Sequence, residues 1–245
     1  MTAPRLLAAL SLSIALGLTA SPAQAQETQD QETQARGQGA EPAKAEAGRW
    51  AADMERFAKA DEEKPFPKGG VVFVGSSSIR MWKLGDSFPD LGALNRGFGG
   101  SEVSDSVEHA DLLAIKHAPR AILMYAGDND IAKGKSAERV LADYQKFVAK
   151  VRAELPGARL VYIAIKPSRK RWNLWPEMEK ANNLIKEFSE KGEGLAFADI
   201  AAPMLKASQP PPEDLFLDDG LHLSAKGYAM WKEVIAPLID PKGDQ

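Results

Sequence analysis

From Gly70 onward, apolar and polar positions fall into blocks of two kinds. Val71 to Val74, Ala121 to Tyr125 and Leu160 to Ile165 are short unbroken apolar runs, partly β-branched or aromatic, bounded by turn residues or charges. Runs of that length and makeup predict strands buried on both faces. Leu94 to Phe98 and Leu195 to Ile200 carry fainter versions of the same pattern. Between the runs the period changes. Helical patterns run over about 102–117, 136–154 and 175–191, with a last helix over about 224–236, and in the first two apolar residues return every three or four positions, as in Val140, Leu141, Tyr144, Phe147, Val148 and Val151. That spacing predicts helices with one apolar face. Upstream, Trp50, Met54, Phe57 and Ala58 recur at helical spacing and predict a first helix that packs its Trp and Phe onto the rest of the domain.

Strands separated by helices of this length imply right-handed crossovers and a parallel sheet covered on both sides. The expected architecture over residues 46–245 is therefore a three-layer α/β/α, flavodoxin-like domain with a five-stranded parallel sheet. No repeat of fixed period breaks this reading.

The N-terminus is of another character. One positive charge in Met1 to Arg5, an apolar run from Leu6 to about Thr19 and the small-x-small signal Ala23-Gln24-Ala25 predict a secretory leader over residues 1–25. The run is shorter than the roughly 20 residues of a spanning helix, so no membrane span is expected after cleavage. The protein is expected to be exported, to the periplasm or beyond. Residues 26–45, rich in Gln, Glu, Gly and Ala with no large apolar residue, predict a flexible tether.

Composition narrows the chemistry. With 245 residues, 44% of them hydrophobic, and a net charge of −3, the chain suits one well-buried domain and supplies no basic field for nucleic acid. It has no cysteine and three histidines, a poor inventory for zinc or an iron–sulfur cluster. No metal or cofactor is called for.

In a parallel α/β domain, ligands bind at the carboxyl ends of the strands. Gly75-Ser76-Ser77-Ser78 follows the first strand directly, whereas the literal Gly85-Asp86-Ser87 follows no strand and is expected in a surface loop. Asn95-Arg96-Gly97-Phe98-Gly99-Gly100-Ser101 follows the second strand, and its glycines let a backbone N–H approach a ligand. A dinucleotide fingerprint would need a third glycine where Glu102 stands. Gly127-Asp128-Asn129-Asp130 presents an uncharged amide after the third strand. Near the end of the chain, Asp219 precedes His222 by three residues in a turn before the last helix. That spacing lets the carboxylate hold one ring nitrogen while the other faces a hydroxyl, as a general base requires.

These four blocks, in this order, resemble the SGNH hydrolases, also called the GDSL esterase and lipase family, over about residues 70–238. Laying Gly75 on the glycine of the family's first block puts Trp82 where Trp is often found and makes Ser77 the nucleophile. The resemblance implies an oxyanion hole at Gly100 and Asn129 and completes a triad with Asp219 and His222. The Asn-x-Gly-x-Gly-Gly pattern is most similar to the platelet-activating-factor acetylhydrolase type. Ser76 departs from the usual Asp, a change that leaves the nucleophile in place but keeps Ser76 and Ser78 as rivals to it.

The expected function is a serine esterase acting on short acyl, above all acetyl, esters of a carbohydrate or small molecule through an acyl-Ser77 intermediate. An acyltransferase shares every motif, a lysophospholipase-like lipid esterase differs in substrate, and a binding protein on the same scaffold would show a broken triad. Lys166 to Trp175, with four cations and two Trp, is expected either to meet substrate or to form a solvated loop anchored by its Trp residues.

Overall fold

The computed structural model describes residues 48–239. The chain divides into two units, Met1–Arg49 and Trp50–Gln245, and the strands and helices of the fold belong to the second. The expected leader, residues 1–25, and nearly all of the region before the first helix, including the tether at 26–45, lie outside the described residues.

The elements follow in the order α1 Ala51–Glu63, β1 Val71–Gly75, α2 Ser77–Arg80, α3 Leu84–Ser87, β2 Leu94–Gly97, α4 Val103–Glu108, α5 Ala110–Leu113, β3 Ala121–Tyr125 and α6 Asp128–Ala132. They continue with α7 Ala137–Glu154, β4 Arg159–Ile163, α8 Trp175–Lys191, β5 Leu195–Ala198, α9 Ala201–Leu205 and α10 Ala225–Ile239. The five strands form one sheet in the order β2-β1-β3-β4-β5, every pairing parallel.

All residues of β1 and β3 are buried. Successive side chains of a strand point to opposite faces, so the central strands are covered on both. Two tyrosines show what covers them. Met124 of β3 pairs in register with Tyr162 of β4, so Tyr125 faces the side opposite Tyr162. Tyr125 meets Trp231 of α10, and Tyr162 meets Tyr144 of α7. Helices α7 and α10 therefore lie on opposite faces of the sheet. The edge strands β2 and β5 are only partly buried, and their sequence patterns are correspondingly faint.

The predicted first helix is α1, with Trp50 set edge-on against Phe98 at 5.1 Å and Phe57 buried. Asp61 of the same helix pairs with the buried Arg96 of β2.

Three expectations need correction. The helix expected over 102–117 is broken into α4, α5 and a 3-10 turn at Ile115–His117, the backbone leaving helical geometry at His109, with φ −98° and ψ 13°, and at Ala114, with φ −137° and ψ −52°. The strand expected to reach Ile165 ends at Ile163, because the Asn182 side chain of α8 takes over the backbone there. Its Oδ1 accepts from the Ile165 N–H at 2.7 Å and its Nδ2 donates to the Ile165 carbonyl at 2.9 Å. Gly85-Asp86-Ser87 belongs to the helical turn α3 and not to an open loop, and the Trp82 indole N–H donates to Ser87 Oγ at 2.8 Å.

Sheet order β2-β1-β3 places a topological switch point at the carboxyl ends of β1 and β3. Both ends turn sharply on a glycine. Gly75 has φ 138°, and a Cβ there would stand 1.8 Å from the Tyr125 carbonyl oxygen. Gly127 has φ 110°, and a Cβ there would stand 2.6 Å from Ile165 Cδ1. Only glycine permits these approaches, and each delivers a polar residue to the switch point two positions later.

Candidate active site

Ser77 stands first in α2, directly after the turn on Gly75. Its N–H is one of the helix-start donors with no carbonyl a turn earlier inside the helix. The three adjacent serines have different surroundings. Ser76 is fully buried, and its Oγ has no hydrogen-bond partner. Ser78 is fully buried, and its Oγ accepts from Lys166 Nζ at 3.1 Å. Ser77 alone is partly exposed and has an imidazole beside it, with its Oγ 3.0 Å from His222 Nε2.

The turn that carries His222 is built by its own carboxylate. Asp219 Oδ1 accepts from the N–H groups of Leu221 at 2.8 Å and His222 at 2.9 Å, while Oδ2 accepts from His222 Nδ1 at 2.5 Å. Burial pushes the Asp219 carboxyl up, but the hydrogen bonds from the His222 ring and from the His222 and Leu221 N–H groups outweigh it and hold the carboxyl at about 2. An ionised acceptor on Nδ1 keeps the ring proton there and leaves Nε2 to accept the Ser77 hydroxyl proton. Gly220, at φ 63°, closes the turn, and its carbonyl accepts from the Lys170 N–H at 3.0 Å. Further down, the Leu217 N–H donates to the His222 carbonyl at 2.8 Å.

Gly100 and Asn129 come together from the ends of β2 and β3. Gly100 has φ 83°, and the next carbonyl, that of Ser101, accepts from Asn129 Nδ2 at 2.9 Å. A primary amide has two N–H groups, and Ser101 takes one. Asp130 fixes the same loop from behind: both its carboxylate oxygens accept from the Val103 N–H at 3.2 Å.

The sequence reading missed the groups that hold Asn129. Arg171 Nη2 donates to Asn129 Oδ1 at 3.0 Å, and Arg171 Nη1 lies 3.2 Å from Asp128 Oδ2. Lys166 Nζ donates to the same Asp128 Oδ2 at 3.0 Å, to the Tyr125 hydroxyl at 2.8 Å and to Ser78 Oγ. Lys166 is 1% exposed, so it meets neither solvent nor substrate, and the expectation of a solvated or substrate-binding loop fails at this residue. Burial lowers the pKa of its ammonium against the opposing pull of Asp128. Burial raises the Asp128 carboxyl, but Lys166 and Arg171 outweigh it and leave it below the usual carboxylate range. Trp175 is buried and Trp172 stacks on it at 6.2 Å, as expected of anchors for the loop. The available signal was a cluster of charges, Asp128, Lys166 and Arg171, all assigned to one edge of the sheet.

The arrangement offers a hydroxyl hydrogen-bonded to an oriented imidazole, with an amide fixed nearby whose second N–H is uncommitted. The model of the GDSL-like lipase/acylhydrolase family matches residues 75–230, which span all of these groups. No curated protein sequence matches the chain. Among solved structures, a candidate platelet activating factor from Streptococcus pneumonia is similar, with 16% identity, TM-score 0.71 and coverage of 90% of this chain and 100% of that one. A GDSL-like lipase from Bacteroides thetaiotaomicron has 19% identity, TM-score 0.66 and coverage of 77% and 97%. A catalytic mutant of an acetylxylan esterase from Geobacillus stearothermophilus has 15% identity, TM-score 0.59 and coverage of 72% and 96%. At these identities the likeness is one of fold.

Proposed function

We propose, on the premise that this chain belongs to the GDSL-like lipase/acylhydrolase family and is an ester-hydrolysing enzyme, that it cleaves short acyl esters of a carbohydrate or small molecule through an acyl-Ser77 intermediate. The observation that carries the proposal is the line from Asp219 through His222 to Ser77, with contacts of 2.5 and 3.0 Å.

In this mechanism Ser77 Oγ attacks the ester carbonyl carbon while its proton passes to His222 Nε2. The negative charge that develops on the carbonyl oxygen is received by the N–H groups of Ser77 and Gly100 and by the Asn129 amide. The bond to the leaving oxygen then breaks, and His222 returns the proton to that oxygen. Water repeats the sequence on the acyl-enzyme, with His222 again taking and returning a proton. Asp219 stays ionised throughout and stabilises the imidazolium.

Short acyl groups are supported by what surrounds the amide. Arg171, which holds Asn129 Oδ1, is partly exposed beside it, and a long alkyl chain laid against its guanidinium would desolvate charge without replacing its partners. An acetylxylan esterase of the same fold gives the carbohydrate ester as one substrate to try. Acetyl sugars and p-nitrophenyl esters of increasing acyl length make the test. The expected result is kcat/KM highest for acetate and falling steadily toward octanoate. A maximum at octanoate or beyond contradicts the short-acyl reading.

A further inference from the structure

A cavity of about 500 Å³ opens beside the site, within the size range of small-molecule pockets. One wall is the turn after Ser77, with Met81 and Trp82, and the other is the His222 turn and α10, with Leu217, Leu223, Tyr228 and Ala229. The exposed large apolar side chains among the described residues are Met81, at 38%, and Leu217, at 45%, and both line this groove. Lys83, Asp86 and Lys232 also touch it, so charges of both signs meet there and neither selects an ion.

The groove is tied to the reacting groups on both sides. The Met81 N–H donates to the Ser77 carbonyl at 2.9 Å, and the Tyr228 hydroxyl donates to the Ser78 carbonyl at 2.8 Å. On the other side, the Leu217 N–H donates to the His222 carbonyl at 2.8 Å. Ser77 and His222 themselves do not line it, nor do Gly100, Asn129 and Arg171. Its walls are the residues that follow Ser77 in the chain and those on either side of His222, Leu217 and Leu223, which sets it on the Ser77–His222 flank.

That placement assigns it to one half of the substrate. When an ester carbonyl points its oxygen at Gly100 and Asn129, the leaving oxygen must face His222 Nε2, because it takes its proton from there. The group on that oxygen is the one that continues toward Leu217 and Leu223. We infer that the groove binds the alcohol portion of the ester, and that the preferred alcohol is uncharged with an apolar body, alkyl or aryl. The inference rests on the acyl-Ser77 mechanism and narrows its substrate. As the C–O bond breaks, the proton held on His222 Nε2 moves to the alkoxide, and the neutral alcohol leaves along the groove.

The test is a series of acetate esters from methyl to hexyl, compared with methyl esters of acids lengthened by the same number of carbons. A fully buried methylene corresponds to about fourfold in kcat/KM, or about 0.8 kcal/mol, and a half-open groove to about twofold. The acetate series is therefore expected to rise about ten- to thirtyfold, while the acid series does not rise. Ala229 is exposed on α10, so Ala229→Trp fills the groove without entering the core. Met81→Ser with Leu217→Asn removes its two exposed apolar walls. Both variants are expected to keep methyl acetate turnover within about twofold and to lose most of the rise. An acetate series that is flat in the wild type, or a rise unchanged in both variants, overturns the inference. Full activity in Ser77→Ala would instead overturn the mechanism beneath it.

Discussion

At the scale of single residues, Asn129 is the group whose chemistry is easiest to isolate. Its amide is held by Arg171 on the oxygen and by the Ser101 carbonyl on the nitrogen, so it is oriented before any substrate arrives. An oriented donor of this kind contributes about 3 to 4 kcal/mol to the transition state. Asn129→Ala is expected to lower kcat by about two to three orders of magnitude with little change in KM. Arg171 acts through Asn129, so Arg171→Met should lower kcat by about tenfold, and the double variant should be no slower than Asn129→Ala alone. Steady-state kinetics on an acetate ester decides this. A rise in KM at constant kcat would make both residues substrate contacts.

Ser76 and Ser78 show why the residue scale needed the structure. All three serines follow the strand, and sequence spacing leaves them as rivals. Burial and the Lys166 hydrogen bond occupy two of them, and the imidazole contact falls on the third.

At the scale of elements, the buried strands and long amphipathic helices were legible because their patterns repeat over many residues. β1, β3 and α8 fall where the apolar periods place them. What failed was decided by distant partners. The end of β4 depends on Asn182, 17 residues on in α8. Lys166 is the sharpest case. A lysine in a charged loop reads as exposed, whereas its carboxylate partner lies 38 residues away in the turn after β3. The Lys166–Asp128 pair joins the ends of β3 and β4 and, through Ser78, the short helix α2 that carries Ser77. Removing Asp128 leaves the buried Lys166 without its countercharge, at a cost of about 3 to 5 kcal/mol, whereas removing Lys166 still leaves Asp128 the Arg171 guanidinium at 3.2 Å. Urea denaturation should therefore show Asp128→Asn destabilised by about that amount and Asp128→Asn with Lys166→Met partly restored. A single variant as stable as the wild type would show that the pair does not hold these elements together.

At the scale of the whole molecule, topology gathers residues that are far apart in the chain. Sheet order β2-β1-β3-β4-β5 puts the ends of β1 and β3 at a switch point, and the loop before α10 returns His222 to it, 145 residues after Ser77. The ordered blocks of the sequence named Ser77, Gly100, Asn129, Asp219 and His222, because each block carries its own turn chemistry. Neither the charged network behind Asn129 nor the groove beside His222 has such a signature, since each forms only when helices and loops pack.

The central claim is that Ser77, and not the literal Gly85-Asp86-Ser87 serine, is the nucleophile. A fluorophosphonate reacts only where a base activates the hydroxyl and an oxyanion hole receives the phosphoryl oxygen. Ser87 Oγ is instead the acceptor of the Trp82 indole. Peptide mapping after labelling is expected to find the adduct on Ser77, with Ser77→Ala losing both label and esterase activity and Ser87→Ala losing neither. An adduct on Ser87, Ser76 or Ser78, or full activity in Ser77→Ala, would contradict the assignment.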